Sequence, residues 1–399
     1  MSFRSLAEVV LVAALLLGAA LGADRHFQRI GIPAPLAFLL AGIALGTFWS
    51  AAATAVTPQR LTVVGTLALV VILLQGGLDS GLAALRRGLA PVLALGIAGT
   101  AATFALLALT AHVVLGLGWT PALILGAILA PTDPAAVFSV LGGWRERGGR
   151  IVRLLEGEAG LNDPVAIALV IALVDAASRD DLSAAGILGH VVLEGGVGAV
   201  IGLAAGLAVA RVLGPAWPVV RMAPALAVLA AGFGTFGIAT LAHGSGFLAV
   251  YLCGLVLGDD RDLPERDVVI TFTGELASLA EIAMFVLLGV ALARISIRPV
   301  LVDGLVIAAI LVFCVRPLVC YPTLRAFGYR NREAAFATVA GLKGAVPILL
   351  AAIPLMSHVE HAAQIFETVG VAVLASLAVQ GFVLGRVAPA LLSEPDSAI

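Results

Sequence analysis

Thirteen apolar runs follow one another along this chain, at about 5–23, 33–49, 61–79, 90–116, 120–142, 150–175, 185–214, 220–242, 244–258, 267–293, 299–323, 331–355 and 361–391. A helix needs about 20 apolar residues to cross the hydrocarbon of a bilayer, fewer where it is interrupted, and no soluble domain could bury so many such runs. Hydrophobic residues are 61% of the 399 and charged residues only 12%. The expected fold class is an all-α polytopic membrane protein of about 13 transmembrane helices, built as a single unit over 1–399. The break between the eighth and ninth runs, "LAHGSGFLAV", is the shortest. The first run ends in the small residues of "AALGADRH", as before a cleavage site, but with only Arg4 ahead of it we read it as a span.

Loop arginines orient the spans. With the N-terminus outside, the inner loops and tail hold Arg25, Arg29, Arg86, Arg87, Arg145, Arg147, Arg150, Arg153, Arg211, Arg221, Arg261, Arg266, Arg325, Arg330, Arg332 and Arg386. The outer side holds Arg4, Arg60, Arg179, Arg294 and Arg298. That asymmetry is a strong positive-inside bias, and it places the C-terminus in the cytoplasm; the expected location is the plasma (inner) membrane. No basic stripe suggests nucleic acid. Cys253, Cys314 and Cys320 lie in apolar runs without metal-ligand spacing and read as small buried hydrophobes. His26, His112, His190, His243, His358 and His361 lie mostly at span ends, where histidine is interfacial, with His243 beside the Gly-Ser-Gly break the exception.

Two basic residues remain, Arg316 and Lys343, both within spans, along with Asp133, Glu156, Glu158, Asp163, Glu275 and Glu281. A charge near the bilayer centre costs at least roughly 2.5–3.5 kcal/mol, so each needs a partner, water or a function. The fifth run contains "APTDPAAV"; Pro131 and Pro134 lack N–H groups, so the helix should unwind at Thr132 and Asp133 and restart near Pro134. Asp133 then sits at a positive half-helix end, either as a functional carboxylate or simply as a cap on a proline kink. The twelfth run reads "GLKGAVPILLAAIP". Pro347 gives no N–H to the carbonyl of residue 343, and Gly341 and Gly344 weaken the helix, so it should break as well, with Lys343 compensating the exposed carbonyls. Spans five and twelve are seven apart and run in opposite directions. Such paired breaks suit two inverted six-helix repeats, spans 1–6 and 8–13 joined by span 7, with a transport site between them.

The sixth run, "RLLEGEAGLNDPVAIALVIAL", puts Glu156 and Asp163 on one helical face and Glu158 and Asn162 on another. Burial disfavours the charged form of a carboxylate, so such a group can hold a proton near neutral pH or lose it and accept a cation. That competition, at a site facing one side at a time, is all that proton–cation exchange requires.

Together "APTDPAAV", "EGEAGLNDPVAIAL", "GSGFLAVYLCGLVLG" and "GLKGAVPILLAAIP" resemble the NhaP/CvrA-type branch of the monovalent cation:proton antiporters, bacterial relatives of sodium/proton exchangers. The resemblance runs along nearly the whole chain. It implies a thirteen-helix inverted-repeat fold, usually a homodimer, with crossed discontinuous helices 5 and 12. Spans 4–6 and 11–13 (about 90–175 and 299–391) would form the transport core, and spans 1–3 and 8–10 (about 5–79 and 220–293) the dimer-side scaffold. Asp163 would bind the proton and the monovalent cation with Asn162 beside it, and Asp133 and Thr132, the latter through its backbone oxygen, would come from the crossing helix. Glu158 would pair with Lys343, and Arg316 would stabilise the core.

The chain departs from the family pattern in four places. Lys343 stands where arginine is usual, and a lysine is a point charge that can lose its proton when buried. Ala159 replaces a frequent serine. Gln75 replaces a frequent acid, a place that Asp79, four residues on, could take, with Glu156 a further accessory acid. The fourth concerns the tail: potassium-type members commonly continue past this point into a soluble regulatory domain, and none is expected after "LLSEPDSAI".

The expected function is K⁺/H⁺ or Na⁺/H⁺ antiport by alternating access. Asn162–Asp163 supplies one carboxylate rather than two, so one-for-one electroneutral exchange follows. The alternative is a gated cation channel or potassium-efflux protein, which would need a continuous wet path. No "HExxH" set or second catalytic carboxylate pair suggests an enzyme, and no cofactor is expected beyond the transported ions.

Overall fold

A computed structural model describes residues 18, 33–49, 54–82, 88–133, 136–137, 149–179, 182–213, 224–260, 263–294 and 297–392. Among the described residues there are helices and no strands. In chain order they are α1 (Ala34–Phe48), α2 (Pro58–Ser80), α3 (Leu89–Val114), α4 (Trp119–Leu129), α5 (Gly149–Ser178), α6 (Ala184–Leu213), α7 (Pro224–Leu241), α8 (Gly246–Asp259), α9 (Arg266–Leu292), α10 (297–326), α11 (Asn331–Val339), α12 (Ala345–Met356) and α13 (Ala362–Leu392). Eight of them are long and apolar enough to cross a membrane. These helices fall on apolar runs two to thirteen, with run twelve divided between α11 and α12. The first run lies outside the described residues apart from Gly18, as do Arg25, Arg29, Arg86, Arg87, Arg145, Arg147, Arg221 and Arg261 of the charge bias.

Local chemistry sets the helix ends. The Thr57 hydroxyl accepts the Arg60 N–H at 3.3 Å, and Pro58 opens α2 where its missing N–H costs nothing. The "LAHGSGFLAV" break is real. The α7 helix stops at Leu241, and Ser245 caps α8 by accepting the Leu248 N–H at 3.3 Å. Its own N–H donates to the Glu194 carbonyl at 2.8 Å, tying the break to α6.

Neighbouring helices approach through small residues, as expected where lipid removes the hydrophobic drive for association. Where α1 meets α9, a Cβ on Gly42 would lie 2.9 Å from the Gly289 Cα. Where α2 meets α8, a Cβ on Gly254 would lie 3.1 Å from the Gly77 Cα.

Two π turns adjust the interior. In α10 the wide turn Leu311–Val315 precedes Pro317, which has no N–H for the carbonyl four positions back. It leads directly into Arg316, which is buried. In α3 the turn Ala94–Gly99 faces α5, where a Cβ on Gly96 would stand 2.9 Å from the Leu161 Cβ.

Candidate functional site: two broken helices around a buried carboxylate

Both predicted breaks are present. Helix α4 ends at Leu129 and the chain is non-helical over 131–133; α11 ends at Val339 and the chain is non-helical over 341–344 before α12. The expected restart at Pro134 lies outside the described residues, although Ala136 and Val137 are helical. The breaks touch: the Asp133 N–H donates to the Leu342 carbonyl at 2.9 Å.

Each break lends its charge to the other. The Lys343 ammonium donates to the carbonyls of Ala130 at 2.9 Å and Pro131 at 2.7 Å, at the carbonyl-bearing end of α4. Asp133 accepts the Ala136 N–H on Oδ1 at 3.2 Å, and its carboxylate also lies against Gly344, immediately before the positive end of α12. The sequence suggests that Lys343 compensates its own broken helix. Its long stem instead reaches α4, and the polar groups of its own break are met by α13. There Ser376 Oγ accepts the Lys343 N–H at 3.1 Å and donates to Gln380 Oε1 at 2.5 Å, while the Gln380 amide donates to the Val339 carbonyl at 3.2 Å. Sequence reasoning missed both residues. The available signal was two polar residues four apart on one face of an apolar helix.

Glu158 also has a different partner from the one expected. Arg316 donates to it through both Nη atoms, at 2.5 and 3.1 Å, and to the Ala337 carbonyl at 3.2 Å. All three charged groups are buried: Glu158 is 2%, Arg316 5% and Lys343 1% exposed. The guanidinium's planar fork matches a carboxylate in a way that a lysine point charge does not. The π turn before Arg316 aims that fork at α5.

Asp163 lies on α5, buried, and its Oδ1 has no hydrogen-bond partner. It lines a cavity of about 460 Å³ together with Asp133, Gln75, Asp79, Glu156, Tyr251 and Glu281. Beside it the Asn162 amide donates to the Thr132 hydroxyl at 2.8 Å, so the side chain of Thr132 is engaged, while Asn162 Oδ1 has no partner. Gln75 is fixed by accepting from the Thr273 hydroxyl and donating to Asp79 Oδ1 at 2.8 Å. Tyr251 is a further lining residue the sequence did not single out. A Cβ on Gly160 would lie only 2.2 Å from Tyr251 Cζ, so the pair interlocks α8 with α5 one turn from Asp163. Outside the helices, burial pushes the Tyr329 phenol up from its ordinary pKa against the opposing pull of Arg150, whose guanidinium lies 4.3 Å from the ring centre.

Gly344 is where the meeting of the breaks is most sensitive. A Gly344→Ala substitution drives a methyl into the Asp133 carboxylate and is expected to lower both thermal stability in detergent and transport. Gly237→Ala, where nothing lies within 4 Å, is the control and should leave both unaltered or slightly improved.

Residues 11–389 match the family described as "Sodium/hydrogen exchanger, transmembrane". The chain is 34% identical over 383 residues to a "K(+)/H(+) antiporter NhaP" of Alkalimonas amylolytica, covering 95% of this chain and 66% of that protein. It is 32% identical over 390 residues to a "K(+)/H(+) antiporter NhaP2" of Shewanella sp. strain MR-4, again covering 66% of the relative. The chain thus spans just under two thirds of the length of these relatives. Among solved structures, the sodium proton antiporter MjNhaP1 of Methanocaldococcus jannaschii at pH 8 superposes with a TM-score of 0.79 at 22% identity, over 98% of this chain and 100% of that one. The likeness at this identity is one of fold.

Proposed function

The chain belongs to the sodium/hydrogen exchanger family, and we propose that it exchanges a monovalent cation, K⁺ or Na⁺, for protons across the plasma membrane. The observation that carries the reading is the buried Asp163 oxygen, without a hydrogen-bond partner, on the wall of a cavity large enough for a hydrated ion. A carboxylate so placed binds a proton or a cation and not both at full strength. Competition between the two, at a site exposed to one side at a time, couples their movements.

The paired breaks in α4 and α11–α12 are the crossed helices of two inverted repeats. Spans 4–6 and 11–13 move as a core against a scaffold of spans 1–3 and 8–10, through which two copies form a homodimer. The arginine bias puts the N-terminus outside and the end carrying Arg150, Arg153 and Arg330 in the cytoplasm. The cavity around Asp163 then faces inward, and packing of the Leu349 side chain onto Gly65 supports closure on the other side. A channel would need that seal to open while the inner path stayed open.

Asp163 is one carboxylate beside one neutral amide, so exchange is one-for-one and electroneutral. The test is purified protein in liposomes carrying a proton gradient, challenged with K⁺, Na⁺ or Li⁺. Saturable, cation-dependent collapse of the gradient at a rate independent of an imposed membrane potential is the expected result, and the ranking of ions names the substrate. Collapse that never saturates, or that scales with voltage, overturns the coupled one-for-one reading.

A further inference from the structure

An ion approaching Asp163 from the loop end of α5 meets other oxygens first. A second cavity of about 420 Å³ is lined by Arg150, Arg153 and Tyr329 at that end, and Asp79 and Glu156 line both this cavity and the one around Asp163. The two acids therefore mark the neck between the cavities. Glu156 is seven residues before Asp163, two turns along the same face of α5. Asp79 is oriented by the Gln75 amide at 2.8 Å, and Gln75 in turn by Thr273.

The third feature of the neck is Tyr251. It is 1% exposed, its ring fills the notch at Gly160, and it lines the inner cavity. Its hydroxyl lies near Ser80 and Glu156 yet makes no hydrogen bond of ordinary geometry. A buried hydroxyl without a partner is costly, on the order of 1–3 kcal/mol, unless something else occupies its lone pairs.

We propose that Asp79, Glu156 and the Tyr251 hydroxyl form a second station for the transported monovalent cation, where it trades part of its water for protein oxygens before reaching Asp163. The proposal rests on the exchange reading above and adds a binding site to it. Two carboxylates supply charge and the phenol a neutral oxygen, the ligand chemistry of a hard monovalent cation. Two weak sites in series let an ion enter readily and still leave. The arginines at the mouth do not oppose this. Arg150 is held by Glu333 through bonds of 2.9 and 2.6 Å, and Arg153 is exposed, where salt screens its charge.

The experiment uses the full chain in two formats. First, ²²Na⁺ and ⁸⁶Rb⁺ binding is measured on purified Asp163→Asn in detergent. Weak, saturable binding should survive, and adding Asp79→Asn with Glu156→Gln should weaken it about tenfold or remove it. Second, in proteoliposomes with Asp163 intact, Glu156→Gln should raise the half-saturating cation concentration roughly three- to tenfold, more than it lowers the maximal rate, with a smaller shift for Tyr251→Phe. A merely structural role would lower the maximal rate and leave half-saturation in place. Wild-type exchange combined with no residual binding in Asp163→Asn, or with half-saturation unmoved in Glu156→Gln and Asp79→Asn, overturns the second station alone. Wild-type protein that collapses no gradient with any cation overturns the exchange reading and the station together.

Discussion

Asp163→Asn is expected to reduce cation-dependent collapse of a proton gradient to the background of empty liposomes. Asparagine preserves the size of the side chain and so the packing of α5, where Asp163 is only 6% exposed. On the proposed mechanism it removes both the charge that would hold the cation and the group that would carry the proton. A carboxylate–cation contact at about 3 Å is worth roughly 5 kcal/mol at an effective dielectric constant of 20, several orders of magnitude in affinity. Asp133 cannot replace it, because its carboxylate is committed to the N–H of Ala136 and to the start of α12. The variant should elute as the wild type does, which separates loss of transport from loss of fold. Transport within a factor of two of wild type would remove Asp163 from the mechanism.

The second large effect is on stability. Arg316→Ala leaves Glu158 charged, buried and without its two guanidinium bonds, and breaking one partner of such a pair typically costs about 3–5 kcal/mol. The control is the Arg150–Glu333 pair, where Arg150 is 47% exposed and Glu333 20%. Disrupting a surface pair costs about 0–1 kcal/mol. Thermal unfolding in detergent should therefore fall steeply for Arg316→Ala and hardly at all for Glu333→Gln. Combining Glu158→Gln with Arg316→Met, which removes both charges and retains volume, should recover much of the loss. Equal effects of Arg316→Ala and Glu333→Gln would show that the buried pair is not what holds α10 to α5.

The breaks in the helices are legible in the sequence because their causes are local. Pro131, Pro347, Gly341 and Gly344 act on their own turn of helix whatever surrounds them. Asp163 is legible because a carboxylate inside an apolar run demands an explanation wherever the run ends up. The partner of each charge is not legible. Glu158 can be assigned to Arg316 or to Lys343 only by knowing that α10, through its π turn, presents Arg316 to α5, while the stem of Lys343 points across to the end of α4. Opposite sign suggests a carboxylate for Lys343. The fold gives it two backbone carbonyls instead, because an interrupted helix creates acceptors that no side-chain inventory counts. Ser376 and Gln380 escape a reading of the sequence for the same reason, since their partners are backbone groups exposed by a break 33 residues or more away in sequence. Tyr251 is hidden inside the "GSGFLAVYLCGLVLG" motif. Its meaning lies in the missing side chain of Gly160 on another helix.

Competition between proton and cation at Asp163 would be read by counting the protons released when a cation binds. Purified protein in weak buffer would be titrated with K⁺ or Na⁺ at a series of pH values while the free proton concentration is followed. Release should approach about one proton per chain at the pH where Asp163 is protonated before the cation arrives, and should be absent from Asp163→Asn. Undiminished release from Asp163→Asn, or saturable cation binding to the wild type with no proton released at any pH, would contradict it.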